Sequence, residues 1–187
     1  MKEIIADAVR VLQGGGVILY PTDTVWGLGC DATNEEAVKK VFEIKRRAES
    51  KSLVLLAADL DMVARHVNRI PDMAIDLVEV NDAPMTIVYP GAIGLAPSVV
   101  AEDGSVGIRI PLDGFCLELV RRFRKPLVST SANVSGEPAP KGFRDISQEI
   151  VAAADWVAPE RFGAGATGRP SQIIKLGLRG EVEIIRA

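Results

Sequence analysis

The sequence predicts an α/β (α+β) domain: a mixed, twisted sheet with helices flanking it. Three observations predict this class. Short runs of Val, Ile and Leu alternate with segments whose apolar residues recur at helical spacing, which fits neither a helical bundle nor a sandwich. At 187 residues and 48% hydrophobic content the chain suits one domain, residues 1–187, with a substantial core. No internal repeat or low-complexity tract interrupts that pattern.

Taken in order, Ile4, Ile5, Ala8, Val11 and Leu12 define a first helix, which Gly14-Gly15-Gly16 stops. Val17 to Tyr20 forms a short strand ended by Pro21. Thr33-Asn34-Glu35-Glu36 has capping-box form, with Thr33 as N-cap and Glu36 at N3, and opens a helix to about Arg46. Leu53 to Ala57 reads as a buried strand. Two helices follow, near residues 59–67 and from Pro71, at a first-turn position, to about Val80. Further strands are expected at Thr86–Tyr89, Ser105–Ile110, Leu127–Ser129, Gln172–Leu176 and Val182–Ile185, with helices over 114–124 and about 144–153. Pro159 to Pro170, with Gly163, Gly165 and Gly168, is the flexible segment, a lid or a plain linker.

Composition excludes several classes of function. The longest apolar runs, such as Leu53 to Ala58, are too short to span a bilayer, and Glu3 and Asp7 stand where a signal peptide would be basic and then apolar. A cytoplasmic, membrane-free protein is expected. Cys30 and Cys116 share no motif spacing, so neither a disulfide framework nor a protein-built metal site is expected. The single histidine, His66, excludes a multi-histidine centre and reads as an ordinary helix residue. A net charge of -3 argues against bulk attraction to nucleic acid, but leaves room for a local basic patch. Two glycine patterns are decoys. "GAGATG" (163–168) runs into Arg169-Pro170 instead of opening a helix, and "GLGCDA" (27–32) lies too far from the strand before it for a dinucleotide turn.

Polar and cationic groups gather at predicted strand ends: Thr22, Asp23 and Thr24 after the first strand, Arg109 within "SVGIRIP", and Ser129, Thr130, Ser131 and Asn133 in "STSANVSG". Ligands of α/β sheets collect where strands hand over to loops. A guanidinium inside an apolar strand is costly unless it meets an anion. Lys45, Arg46, Arg47 and Lys51 crowd the junction of a helix and a strand. Helix-dipole pairing accounts well for Lys45 and less well for Lys51, and turn or cap chemistry accounts equally well for the Ser/Asn run. Together these groups predict an anion-binding concave face suited to a phosphate-bearing ligand.

"YPTDTVWGLGCDA" (20–32), the K-x-R of "KRR" (45–47), "GIRIP" (107–111) and "STSANVSG" (129–136) occur in order along the chain. In these motifs the chain resembles the YrdC-like threonylcarbamoyl-AMP synthase family, in its short, single-domain form. The resemblance implies a mixed sheet with a positively charged concave face. It also implies a nucleotidyltransferase that joins L-threonine, bicarbonate or CO2 and ATP into L-threonylcarbamoyladenylate and pyrophosphate, with Mg2+ accompanying ATP. The product would pass to downstream tRNA threonylcarbamoyltransferase machinery for the N6-threonylcarbamoyl modification of adenosine 37, and tRNA itself is a candidate partner. By the same resemblance Thr24, Arg109, Ser129 and Ser171 would bind threonine. Arg47, Lys51, Ser105, Ser131, Asn133 and Arg186 would bind ATP, and Lys45, Arg47 and Lys51 would act on the phosphates.

Three departures accompany the resemblance: "DAPMT" (82–86) lacks a Pro-Gly, Leu56 replaces a histidine of some relatives, and Gln172 sits inside "SQI". A sister branch of the family loses parts of the K-x-R and S-x-N signatures; this chain keeps both. A nucleotide-dependent carbamoyltransferase, like the hydrogenase-maturation enzymes that contain such a domain, is the less expected reading, because the zinc-finger cysteines of those relatives do not occur in this sequence. The alternative reading is a catalytically silent RNA-binding protein, using Arg121, Arg122, Arg124 and Lys125, although a solvated helix end explains that cluster too.

Overall fold

The computed structural model describes residues 1–47 and 53–187. Among them nine strands form one mixed sheet in the order β7-β1-β2-β6-β3-β5-β4-β8-β9. The strands are β1 (Ile18–Pro21), β2 (Trp26–Gly29), β3 (Val54–Leu56), β4 (Met85–Tyr89), β5 (Val106–Arg109), β6 (Leu127–Ser131), β7 (Trp156–Val157), β8 (Gln172–Leu176) and β9 (Val182–Arg186). The helices are α1 (Lys2–Gln13), α2 (Glu35–Lys45), α3 (Leu60–Ala64), α4 (Asp72–Val80), α5 (Gly114–Phe123) and α6 (Gln148–Ala153). None of them is long and apolar enough to cross a membrane.

Pairing register explains how the sheet holds a core and a cleft at once, because directly paired residues share a face. Leu28, Val128, Leu55, Ile108, Ile87 and Ile174 follow one another across β2, β6, β3, β5, β4 and β8 on one face. All but Ile174 are fully buried, and all belong to or pack on the core with Leu12 of α1 and Leu119 of α5. The other face carries Gly27, Ser131, Ser129, Val54, Gly107, Arg109, Thr86 and Ile173 in the same strands. Such a row of small and polar groups cannot make a core. β6 sits at the joint: Leu127 to Ser129 pair with β3, while Thr130 and Ser131 pair with Leu28 and Gly27 of β2.

Several sequence expectations are corrected. Trp26–Gly29 is a buried strand and not part of a loop, because Gly27 and Gly29 let β2 close on β6: a Cβ at Gly29 would lie 2.5 Å from the Val128 carbonyl oxygen. Pro21 closes β1 from within, paired to Trp26. Asn34, not Thr33, caps α2: its side chain accepts from Ala37 N at 3.2 Å, while the Thr33 hydroxyl donates to Asp31 at 2.6 Å. α3 ends at Ala64, so His66 lies in the turn beyond it, with its ring against the Ile93 carbonyl. β7 was not expected; it is two residues long and too short to carry a pattern. α6 begins at Gln148, and a short 3-10 turn covers Phe143–Asp145.

Candidate functional site

On the bare face of the sheet lies a cleft of about 260 Å³, which gathers residues from distant parts of the chain: Thr22, Thr24, Gly27, Arg47, Arg109, Ser129, Ser131, Ser171 and Arg186. Beside it, sharing Leu53, Val54 and Ile173, is a second, more apolar cavity of about 510 Å³, lined by Val88, Val99, Ala101, Ser105, Gly107 and Ile185.

The turn between β1 and β2 builds one wall. Thr22 Oγ1 accepts from Thr24 N and Val25 N, both at 3.1 Å, and donates to the Val25 carbonyl at 2.7 Å. That threonine is spent on holding the turn. Thr24, its hydroxyl 2.8 Å from that of Thr22, takes the Arg109 guanidinium at 3.4 Å. Arg109 ends β5 beside Leu56 of β3 and Thr86 of β4. Its anion is within the chain: the guanidinium is paired with Asp23, and both side chains are almost fully buried. Asp23 is one of the polar groups at this predicted strand end, and nothing in the sequence names its partner. The signal was an acid held between two threonines of one turn. Leu56, beside Arg109, is wholly buried and offers no polar atom.

The segment 163–168 is stapled over this turn through backbone groups. Thr167 N donates to the Asp23 carbonyl at 3.0 Å and Gly168 N to the Thr24 carbonyl at 2.8 Å. Gly163 abuts the Trp26 indole, where a Cβ would come within 2.6 Å of Nε1. The segment that composition leaves as a lid or a plain linker is thus a strap held to the β1–β2 turn by two backbone hydrogen bonds.

The opposite wall comes from the end of α2 and from β6. Arg46 has φ 49, and Arg46 N and Arg47 N bond back to the Glu43 and Phe42 carbonyls, a Schellman closure in which an arginine stands where glycine costs least. That turn delivers Arg47 into the cleft, where burial pulls its pKa below the usual guanidinium value. Lys45 points the other way. Only 1% exposed, it donates its ammonium to the carbonyls of Ser131 and, at 2.7 Å, Asn133. Burial, with Arg47 as a smaller cause, pushes the Lys45 amine down to about 8.

Of the expected site residues, Thr24, Arg47, Arg109, Ser129, Ser131, Ser171 and Arg186 meet in the one cleft. Ser171 Oγ lies 2.7 Å from the Thr86 hydroxyl, and its carbonyl accepts from Arg186 Nε at 2.8 Å and from a terminal nitrogen at 2.6 Å. Ser105 lines the neighbouring cavity and hydrogen-bonds Asp103, whose carboxyl is held well below the usual range by Lys175 and Ser105. Asn133 does not reach the cleft wall: its Nδ2 donates to the Val134 and Glu137 carbonyls at 3.0 and 2.8 Å. Its Oδ1 is buried without a partner. Lys51 lies outside the described residues.

Comparison with known proteins identifies the family. The Sua5/YciO/YrdC family profile, described as "Telomere recombination", matches residues 10–187. The threonylcarbamoyl-AMP synthase of Stenotrophomonas maltophilia (strain K279a) is 36% identical over 186 residues, 97% of this chain and 98% of that protein. Among solved structures, a doubly substituted P. abyssi Sua5 superposes with a TM-score of 0.87 at 26% identity, over 97% of this chain and 55% of that one. P. abyssi Sua5 complexed with L-threonine gives a TM-score of 0.81 at 27% identity, over 92% of this chain and 50% of that one. This chain thus spans about half the length of P. abyssi Sua5. With the profile matched over residues 10–187, nearly its whole length, the chain belongs to the Sua5/YciO/YrdC family.

Proposed function

We infer that this protein is a threonylcarbamoyl-AMP synthase, forming L-threonylcarbamoyladenylate and pyrophosphate from L-threonine, bicarbonate or CO2, and ATP. The observation that carries the reading is the cleft itself: Thr24, Arg47, Arg109, Ser129, Ser131, Ser171 and Arg186 line one space, in a chain 36% identical to a protein of that name. Arg109 presents the guanidinium for a carboxylate, oriented from behind by Asp23. The hydroxyls of Thr24 and Ser129 supply the polar half of a contact that reads the threonine side chain. Discrimination against serine, which lacks only the methyl, is worth about 1–3 kcal/mol.

The chemical step needs alignment and charge neutralisation more than a strong base. A threonine amine that has added CO2 becomes a carbamate, and its oxygen attacks the α-phosphorus of ATP as the bond to pyrophosphate breaks. Holding the two reactants in line is worth several kcal/mol, up to about 7–11 in favourable intramolecular cases. Arg47, with Lys51, would neutralise charge on the departing pyrophosphate. The apolar cavity next to the cleft has room for the nucleoside, with Ser105 at its wall. Among the described residues no cluster of three or more carboxylate, histidine or cysteine side chains gathers that could hold a metal. Mg2+ would enter on the ATP phosphates, where it adds positive charge. The strap at 163–168 would keep water from the carbamate, which loses CO2 readily.

The adenylate would serve the tRNA modification at adenosine 37, handed to a transferase of that pathway. Direct contact with tRNA has one supporting feature, a groove of about 640 Å³ lined by Arg10, Arg121, Arg122 and Arg124 that shares no residue with the cleft. Steeply salt-dependent RNA binding lost in an Arg122→Glu/Arg124→Glu variant would place RNA there. The synthase reading is tested by pyrophosphate release from Mg2+-ATP and bicarbonate with L-threonine, serine, valine or no amino acid. Release that requires threonine and bicarbonate is expected. ATP binding without any threonine-dependent release would sink the reading.

A further inference from the structure

Lys45 belongs to a motif whose neighbour Arg47 enters the cleft, yet its own ammonium cannot. Three bonds tie it to the end of β6 and the loop that follows. Its Nζ donates to the carbonyls of Ser131 and Asn133, and its carbonyl accepts from Ser135 N at 2.9 Å. One residue at the end of α2 thus bonds to three alternate residues, Ser131 at the end of β6 and Asn133 and Ser135 beyond it. Within that loop Asn133 closes on itself through Val134 and Glu137. Backbone bonds help at its start, Asn133 N donating to the Ser131 carbonyl at 2.9 Å and Ala132 N to the Trp26 carbonyl at 3.0 Å, and the Lys45 ammonium bridges the Ser131 and Asn133 carbonyls.

We propose that Lys45 is a positioning residue: it latches the 131–135 loop from beneath, so that Arg47 and Ser131 form a single preset wall for the phosphates of ATP. This rests on the synthase reading for the identity of the ligand, but the latch itself does not. The groups facing the ammonium are the two loop carbonyls and, from the end of α2, the guanidinium of Arg47, while Glu149 of α6 is paired with Arg46. A phosphate chain laid against Arg47 and Ser131 puts negative charge over a cation that burial and Arg47 disfavour. Anions favour the protonated form. Binding ATP should therefore raise the affinity of Lys45 for its proton, and ATP affinity should decline as pH rises through about 8.

The experiment compares wild type, Lys45→Met and Lys45→Arg. Amide hydrogen exchange without ligand reads the latch, and calorimetric titration with ATP, in two buffers of different ionisation enthalpy near pH 8.5, reads the coupling. In Lys45→Met, faster exchange at residues 131–135 is expected, with ATP binding weakened about tenfold or more, threonine binding changed less than about twofold, and no proton uptake on binding ATP. Wild type should take up a proton, and Lys45→Arg, which keeps charge and donors, should retain most of the loop protection. Unchanged exchange in Lys45→Met, or ATP affinity and proton uptake equal to wild type, would overturn the proposal. So would equal loss of both ligands in a folded variant. If Lys45→Met does not fold, wild-type proton uptake and Lys45→Arg decide: no uptake, or a loop as loose as an unlatched one in Lys45→Arg, rejects the latch. Wild type that binds ATP with proton uptake but releases no pyrophosphate with threonine rejects the synthase reading and leaves the latch standing.

Discussion

At the scale of single residues, the ion pair of Arg109 with Asp23 decides what a substitution does. Arg109→Ala should abolish most activity, and it also strands a buried carboxylate, which costs about 3–5 kcal/mol. Asp23→Asn in the same chain should recover much of the stability without recovering turnover. Thermal unfolding and pyrophosphate release of the single and double variants check this. Lys45 gives the pH dependence. Its folded pKa, about 8, lies below its value in the unfolded chain, so the unfolded state holds more protons as pH rises past 8. The stability of wild type relative to Lys45→Met should therefore increase from neutral pH towards pH 10, as denaturant titrations at a series of pH values would show. Much of this site was legible in the sequence, because a cation in an apolar strand and hydroxyls at strand ends are anomalies that ask for a ligand. Asp23 as the partner of Arg109 was not legible. The two residues meet only when β1, β2 and β5 are in place, and an acid between threonines also fits a plain turn.

At the scale of elements, the strands that were missed are those whose reason is a neighbour. "WGLG" has neither β-branched residues nor alternation, and becomes a strand because Gly27 and Gly29 admit the backbone of β6 and the ring of Tyr20. Strands with their own pattern, such as β3 to β6 and β8, were read close to their observed limits for the opposite reason. Gly27→Ala tests the closeness of β2 and β6: the new Cβ would meet the Thr130 carbonyl at 3.1 Å and lie 3.7 Å from Ser129 Oγ. A loss of about 1–3 kcal/mol in stability is expected, with threonine binding weakened further than ATP binding, measured by calorimetry. β9 tests the other extreme. All its residues are exposed, yet it supplies Arg186 to the cleft. Removing residues 182–187 should leave the melting temperature nearly unchanged if β8 holds, while pyrophosphate release falls sharply.

At the scale of the whole molecule, cleft residues span positions 22 to 186, so a bound ligand ties together both ends of the chain. ATP and threonine together should protect the strap at Gly165 from proteolysis and raise the melting temperature. At a hundredfold excess over Kd each gains about 2.7 kcal/mol, and protection by neither ligand would argue against the strap as part of the site. The sheet has one apolar face and one bare face, with the two interleaved along every central strand. Leu55, Ile108, Val128 and Ile87 point one way, and Val54, Arg109, Ser129 and Thr86 point the other. The genetic code of this fold therefore has a parity. Alternate positions can be randomised in a library with the fold held constant, and selection for new ligands can run on one set while selection for heat tolerance runs on the other. A single inserted residue in β5 or β6 exchanges the two sets and loses both properties at once.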